Sequence, residues 1–181
     1  MIYLIRHGKT PANEAHLYCG STDLELSQAG IAELRQRQYA IRADRYITSG
    51  MRRTEQTLGI LFGDVPFTRE PELREVDFGI FEMKSYEQLK DDPMYQLWLT
   101  GENESNTPPG GESGADMTRR VLAAYRRLEA LPGDTVIVTH GGVIAAILAA
   151  LFPEEGKSRY AWQPAPGCGY ALSPEGYREL K

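Results

Sequence analysis

The chain has 181 residues, enough to bury a sizeable core without disulfide or metal staples. Its formal charge of −5 excludes the broadly basic surface that general binding to nucleic acid or anionic membranes needs, yet leaves room for a local arginine cluster facing a small anion. Two cysteines, Cys19 and Cys168, form no C-x-x-C pair and no framework, and read as free thiols of a reducing compartment.

The opening MIYLIRHGKT turns polar too early for a secretory segment, and no apolar run reaches the roughly 18 residues of a spanning helix. These features predict a cytoplasmic protein. Residues 2–5 (IYLI) are an apolar, β-rich run suited to a strand buried on both faces. Ser27 is a candidate N-cap for an amphipathic helix over 28–42. A second strand is predicted over 44–48, a helix from Arg52 to Phe62 stopped by Gly63, and a third strand over 65–68. Residues 70–84 lack clean periodicity. A helical stretch over 85–99 is interrupted near Pro93, and 101–112 is a polar loop rich in Gly and Pro. Ser113 can cap a long helix to about Leu131, with Met117, Val121, Leu122, Tyr125 and Leu128 on one face. TVIVT (135–139) is a buried strand leading to a helix over 143–151, and 170–173 forms a last strand. Alternating strands and helices predict an α/β fold, a single domain over 1–181 with a mostly parallel sheet.

Two buried strands end alike. IYLI runs into Arg6, His7 and Gly8; TVIVT runs into His140, Gly141 and Gly142. Ligands of open α/β sheets bind beyond the carboxyl ends of the strands, so neighbouring strands would bring both imidazoles into one crevice. The strand ending at Ser49 and Gly50 leads to Arg53 in the first turn of the next helix, where free N–H groups favour anions. Two His, two Arg and exposed N–H groups make a pocket for phosphate. A single His after a strand is more often structural than catalytic; two such ends in one chain are harder to assign to packing.

The ordered set LIRHGKT (4–10), TSGMRRTEQT (48–57), ELREVDFGIFE (72–82) and THGGV (139–143) resembles the histidine phosphatase superfamily, which includes the phosphoglycerate mutases. The resemblance implies a phosphoglycerate mutase-like three-layer αβα sandwich and a phosphohistidine on His7. It also implies phosphate contacts from Arg6, Asn13, Arg53 and His140, and Glu75 as proton donor to the leaving group. It implies no metal and no cofactor, and a small-molecule phosphomonoester as the partner. Two departures stand out: Lys9 replaces the family's usual Glu or Gln, and Gly50 a common Pro. Glu82 competes with Glu75 for the acid's place, and motif alignment alone favours Glu75.

The chain is short beside the mutases, which carry extra segments over the site, and this favours water as phosphoryl acceptor. YCGSTDLELS (18–27), FGIFEMKSYEQL (78–89) and PAPGCGYAL (164–172) resemble the α-ribazole phosphatases within the family. That resemblance implies a benzimidazole riboside 5′-phosphate as substrate, with Phe78, Phe81, Tyr86 and Trp98 as candidates for an apolar wall; at least half of these are expected in the core. A broad-specificity phosphatase, a phosphoglycerate mutase and a non-catalytic phospho-ligand module are the alternatives, together with a metal site built on His7, His16 and His140, which no His-rich spacing supports.

Overall fold

The computed structural model describes residues 1–181, the side chain of residue 103 excepted. Six strands form one sheet: β1 (Ile2–Arg6), β2 (Arg45–Thr48), β3 (Thr68–Arg69), β4 (Thr135–Thr139), β5 (Gly169–Ser173) and β6 (Gly176–Leu180). Their spatial order is β3-β2-β4-β1-β5-β6. The pairs β3–β2, β2–β4 and β4–β1 are parallel, and β1–β5 and β5–β6 are antiparallel. The helices are α1 (Pro11–Glu14), α2 (Gln28–Arg35), α3 (Arg52–Phe62), α4 (Tyr86–Leu89), α5 (Pro93–Leu99), α6 (Gly114–Glu129) and α7 (Gly141–Leu151).

Alternation along the central strands builds three layers, because successive side chains point to opposite faces. Ile2, Leu4 and Ile137 pack with Met117, Val121 and Tyr125 of α6 and the buried face of α7. Ile5, Val136 and Val138 face the other way, onto Leu58 of α3. A smaller cluster, Phe81, Leu89 and Tyr95, holds α4 and α5 beside Tyr18, Phe78 and Trp98.

Several predicted boundaries move. The helix expected over 28–42 stops at Arg35; beyond it Tyr39 and Ile41 pack in irregular chain against the β4 face, so their burial needs no helical period. The strand expected over 65–68 contracts to two residues, Thr68 and Arg69, paired to the end of β2. β6 is a strand that the sequence pattern does not announce: at the sheet edge it exposes Arg178 and Glu179, and this breaks the apolar alternation. The helix after TVIVT starts at Gly141, with His140 as its N-cap residue. No helix among the described residues is long and apolar enough to cross a membrane.

Candidate active site

The site is set by strand register. β1 and β4 run parallel with Arg6 opposite Thr139, and the His7 N–H donates to the Thr139 carbonyl at 2.9 Å just past the ladder. His7 and His140 therefore leave adjacent strand ends side by side, their ring centroids 5.2 Å apart and edge to face. β2 flanks β4 on the other side, so Ser49 also lies at this edge and α3 starts there. Arg53, on the first turn of α3, is 1% exposed.

His7 is held in one tautomer. Its Nδ1 lies 2.7 Å from the Gly8 carbonyl, which only accepts, so Nδ1 carries the proton and the Nε2 lone pair is available. The Gly8 N–H in turn donates to Thr57 Oγ1 at 2.9 Å, which ties this turn to α3. Burial, and then the Arg53 charge, lower the His7 pKa well below its ordinary value, with Arg6 acting the same way against the Gly8 bond. Burial also lowers His140 well below its ordinary value, followed by Arg53 and then His7. Both rings are neutral in this arrangement.

His140 has both ring nitrogens engaged. Arg53 Nε donates to its Nδ1 at 3.3 Å, so Nε2 carries the proton and donates to Ser49 Oγ at 2.8 Å. Ser49 is a site residue that the motifs do not single out, although it stands inside the TSGMRRTEQT stretch. The expected His140 donor to phosphate is thus directed to Ser49 here.

The two guanidinium groups are held by neutral carbonyls. Arg6 Nη1 donates to the Pro164 carbonyl at 2.8 Å, and its buried Nε has no partner among the described residues. Arg53 donates from Nη1 to the Thr22 carbonyl at 2.8 Å and from Nη2 to the Gly20 carbonyl at 2.7 Å. Burial lowers the pKa of both below the ordinary value. Among the described residues neither makes an ion pair. Two desolvated cations without carboxylate partners suit an incoming anion.

Glu75 approaches from the segment before α4. Its Oε2 accepts the Gly142 N–H at 2.9 Å at the start of α7, and its Oε1 accepts the Val76 N–H at 3.1 Å. The two glycines after His140 have separate steric reasons. A Cβ on Gly141 would lie 3.1 Å from Arg6 Cζ, and one on Gly142 would lie 2.4 Å from Glu75 Oε1. Arg120 of α6 fixes the acidic segment by donating to the Glu72, Arg74 and Glu75 carbonyls at 2.7, 2.8 and 3.1 Å. It is one of several arginines on α6, and nothing in its sequence context singles it out.

The remaining candidates divide. Asn13 Oδ1 is used within the turn, accepting from Thr10 N and Thr10 Oγ1, each at 3.0 Å. Lys9 pairs at the surface with Glu33 at 2.7 Å. His16 is exposed after α1, whereas His7 and His140 are buried. Glu82 is occupied by the loop at residues 20–22, accepting from Gly20 N at 2.9 Å, whereas Glu75 lines the cavity. That cavity, about 380 Å³, opens from Arg6, Glu75 and Gly142 toward Tyr18, Phe78 and Trp98. Of the four aromatics expected as a wall, Phe78 and Trp98 line it, Phe81 is buried in the core, and Tyr86 is exposed on the outside.

The histidine phosphatase superfamily (branch 1) matches residues 2–179. The chain belongs to this superfamily. Adenosylcobalamin/alpha-ribazole phosphatase of Salmonella typhimurium is 32% identical, over 99% of this chain and 94% of that protein. A 2,3-bisphosphoglycerate-dependent phosphoglycerate mutase of Beijerinckia indica is 31% identical over 83% of this chain and 80% of its own length. Among solved structures, a putative alpha-ribazole-5′-P phosphatase of Escherichia coli K-12 superposes with a TM-score of 0.85 at 25% identity, covering 98% of this chain and 93% of that one. A phosphoglycerate mutase of Thermus thermophilus superposes with a TM-score of 0.77 at 33% identity, covering 99% and 98%. The fold is therefore that of the phosphoglycerate mutase-like histidine phosphatases.

The neutral, buried state of His7 and His140 predicts a pH signature. Both folded pKa values lie below the ordinary 6.5, so below that pH the unfolded chain binds more protons than the folded one. The associated stability is complete above the ordinary value and is lost as pH falls through and beneath it. Urea unfolding from about pH 8 to about pH 5 should show a plateau followed by a decline starting near pH 6.5. Stability that rises on acidification through this window would contradict neutral burial of the pair.

Proposed function

We propose that residues 1–181 form one catalytic domain that hydrolyses a phosphomonoester through a phosphohistidine on His7, with α-ribazole 5′-phosphate as the substrate. The observation that carries the chemistry is the His7 Nδ1 bond to the Gly8 carbonyl, which leaves Nε2 as the nucleophile beside two carboxylate-free guanidiniums. In the first step Nε2 attacks phosphorus as the ester P–O bond breaks. Arg6 and Arg53 hold the equatorial oxygens, since their fixed forks match that charge. Glu75 passes a proton to the departing alkoxide and recovers one in the next step. In the second step a water attacks the phosphohistidine, Glu75 takes its proton, and His7 is released with inorganic phosphate.

His140 joins as a neutral donor: its Nε2–H, which bonds Ser49 Oγ, is the group it offers to the incoming phosphate. The amide nitrogen of Asn13 is a further donor, with its Oδ1 fixed by Thr10. Metal is dispensable in this scheme because guanidinium charge does the work of a Lewis acid. The two free cysteines suit the cytoplasm, and a single small-molecule substrate requires neither nucleic acid nor membrane.

The substrate reading is supported by the cavity's outer half. Leu17, Tyr18, Val76, Phe78, Trp98 and Met117 give it apolar walls that suit a flat, uncharged base. Its outer cation, Arg159, is already paired with Glu104, and Glu112 with Arg120. A carboxylate or a second phosphate would find no unpaired cation in this outer half, which disfavours phosphoglycerates. The names of the Salmonella and Escherichia relatives point the same way.

Phosphate release in EDTA from α-ribazole 5′-phosphate and a panel of common phosphomonoesters tests the substrate. The expected result is full activity in EDTA and a kcat/KM for α-ribazole 5′-phosphate at least about 100-fold above three-carbon and sugar phosphates. A preference for phosphoglycerate, or its isomerisation without phosphate release, would replace this reading with a mutase. Glu75→Gln tests the acid: kcat should fall by about 100-fold or more on alkyl phosphates and much less on aryl phosphates, whose leaving groups need less protonation. Equal losses on both would remove Glu75 from that role.

A further inference from the structure

Glu82 is a half-buried carboxylate with a dense set of donors around it. Oε1 accepts from the backbone N–H groups of Gly20 at 2.9 Å, Ser21 at 3.0 Å and Phe78 at 3.0 Å. Oε2 accepts from Gly20 N at 3.1 Å, Thr22 N at 3.3 Å and the Thr22 hydroxyl at 2.7 Å. Three successive N–H groups, Gly20 to Thr22, converge on one side chain and form an anion-binding nest whose anion is supplied by the protein. Gly20 lies hard against the acidic segment, since a Cβ there would fall 1.6 Å from the Val76 carbonyl oxygen.

The trans peptide group makes this loop a relay. Its N–H and C=O point in opposite directions. The unit joining Gly20 and Ser21 gives its N–H to Glu82, so its carbonyl is turned the other way, where it accepts from Arg53 Nη2 at 2.7 Å. The Thr22 carbonyl, in the peptide unit that follows the nest, accepts from Arg53 Nη1 at 2.8 Å. The carboxylate polarises the peptide in the sense that favours the cation, while keeping out of ion-pair contact with it. Arg53 is thereby oriented without being neutralised, and its remaining N–H hydrogens stay available to an anion. A carboxylate placed directly on Arg53 would compete with the substrate.

We infer that Glu82 is a positioning residue for Arg53, acting through the peptide units of Gly20 to Thr22 to aim the guanidinium at the phosphate. The inference rests on Arg53 as a phosphate-binding residue, which Arg53→Ala tests on its own. It also gives the loop that carries Cys19 a function: it transmits geometry from the acidic segment to the anion site.

The experiment measures competitive inhibition by inorganic phosphate, and kcat and KM on one alkyl and one aryl phosphate. It uses wild type, Arg53→Ala, Glu82→Gln, the double variant and Thr22→Val, with thermal unfolding run beside each. Arg53→Ala should raise the phosphate Ki by about tenfold or more; no change there would sink the premise about Arg53. Glu82→Gln places an amide against N–H donors and should raise Ki by about tenfold, with equal losses on both substrates. In the Arg53→Ala background the same change should add less than about twofold, because the relay has lost its target. Thr22→Val removes one donor to Glu82 at constant shape and should raise Ki by about threefold even if Glu82→Gln fails to fold. Unaltered Ki in Glu82→Gln or, where that variant does not fold, in Thr22→Val would overturn the inference. So would effects that add fully to Arg53→Ala, which would mark a role in stability alone. A loss confined to alkyl phosphates would make Glu82 a proton donor instead.

Discussion

Arg6 sits opposite Thr139 in the parallel β1–β4 ladder, and the hydrogen bond from His7 N to the Thr139 carbonyl extends that register one residue further. This pairing puts two imidazoles, contributed by residues 133 positions apart in the chain, at a ring separation of 5.2 Å. A one-residue slip would turn every β1 side chain to the opposite face and break this pairing. In this register Ile2 and Leu4 pack into one core layer and Ile5 into the other. The hydrophobic pattern of two short strands is therefore also the positional control of the histidine pair.

Charge management follows from the same burial. Arg6 and Arg53 lose most of their hydration and receive carbonyl oxygens in return, from Pro164, Gly20 and Thr22. Carbonyl dipoles orient a cation at little cost to its charge, whereas ion pairs would cancel it. The carboxylates nearby are kept busy elsewhere: Glu75 on the first turn of α7, Glu82 on the nest at residues 20–22, and Glu112 on Arg120. An anion entering by the proposed route would meet positive groups that are prearranged, with little reorganisation left to make.

Much of this is legible in the chain. Strand-end His–Gly pairs, the Arg53 turn and the acidic segment mark the site because backbone position alone brings them to one sheet edge. The α3 limits and the Ser113 cap also follow from local chemistry, a glycine stop and a side-chain acceptor. Other features depend on tertiary context and leave little local trace. β6 carries exposed charge along an edge; Tyr39 and Ile41 are apolar in irregular chain; Arg120 reads as a surface helix residue until its three carbonyl partners are seen. The aromatic wall shows the same limit, since Phe78 and Phe81 sit three residues apart, one in the cavity and one in the core. Glu75 and Glu82 both lie in the acidic segment, and their roles separate only through the N–H groups they face.

Catalysis by this route requires a covalent bond between phosphorus and His7 Nε2. Rapid acid-free quenching of the enzyme during turnover of a ³²P-labelled phosphomonoester, followed by peptide mapping under alkaline conditions, reads that bond directly. The predicted result is one labelled site, His7, with label that is lost in mild acid and absent from His7→Ala. Turnover at full rate with no labelled enzyme, or label on any other residue, would contradict a phosphohistidine route through His7.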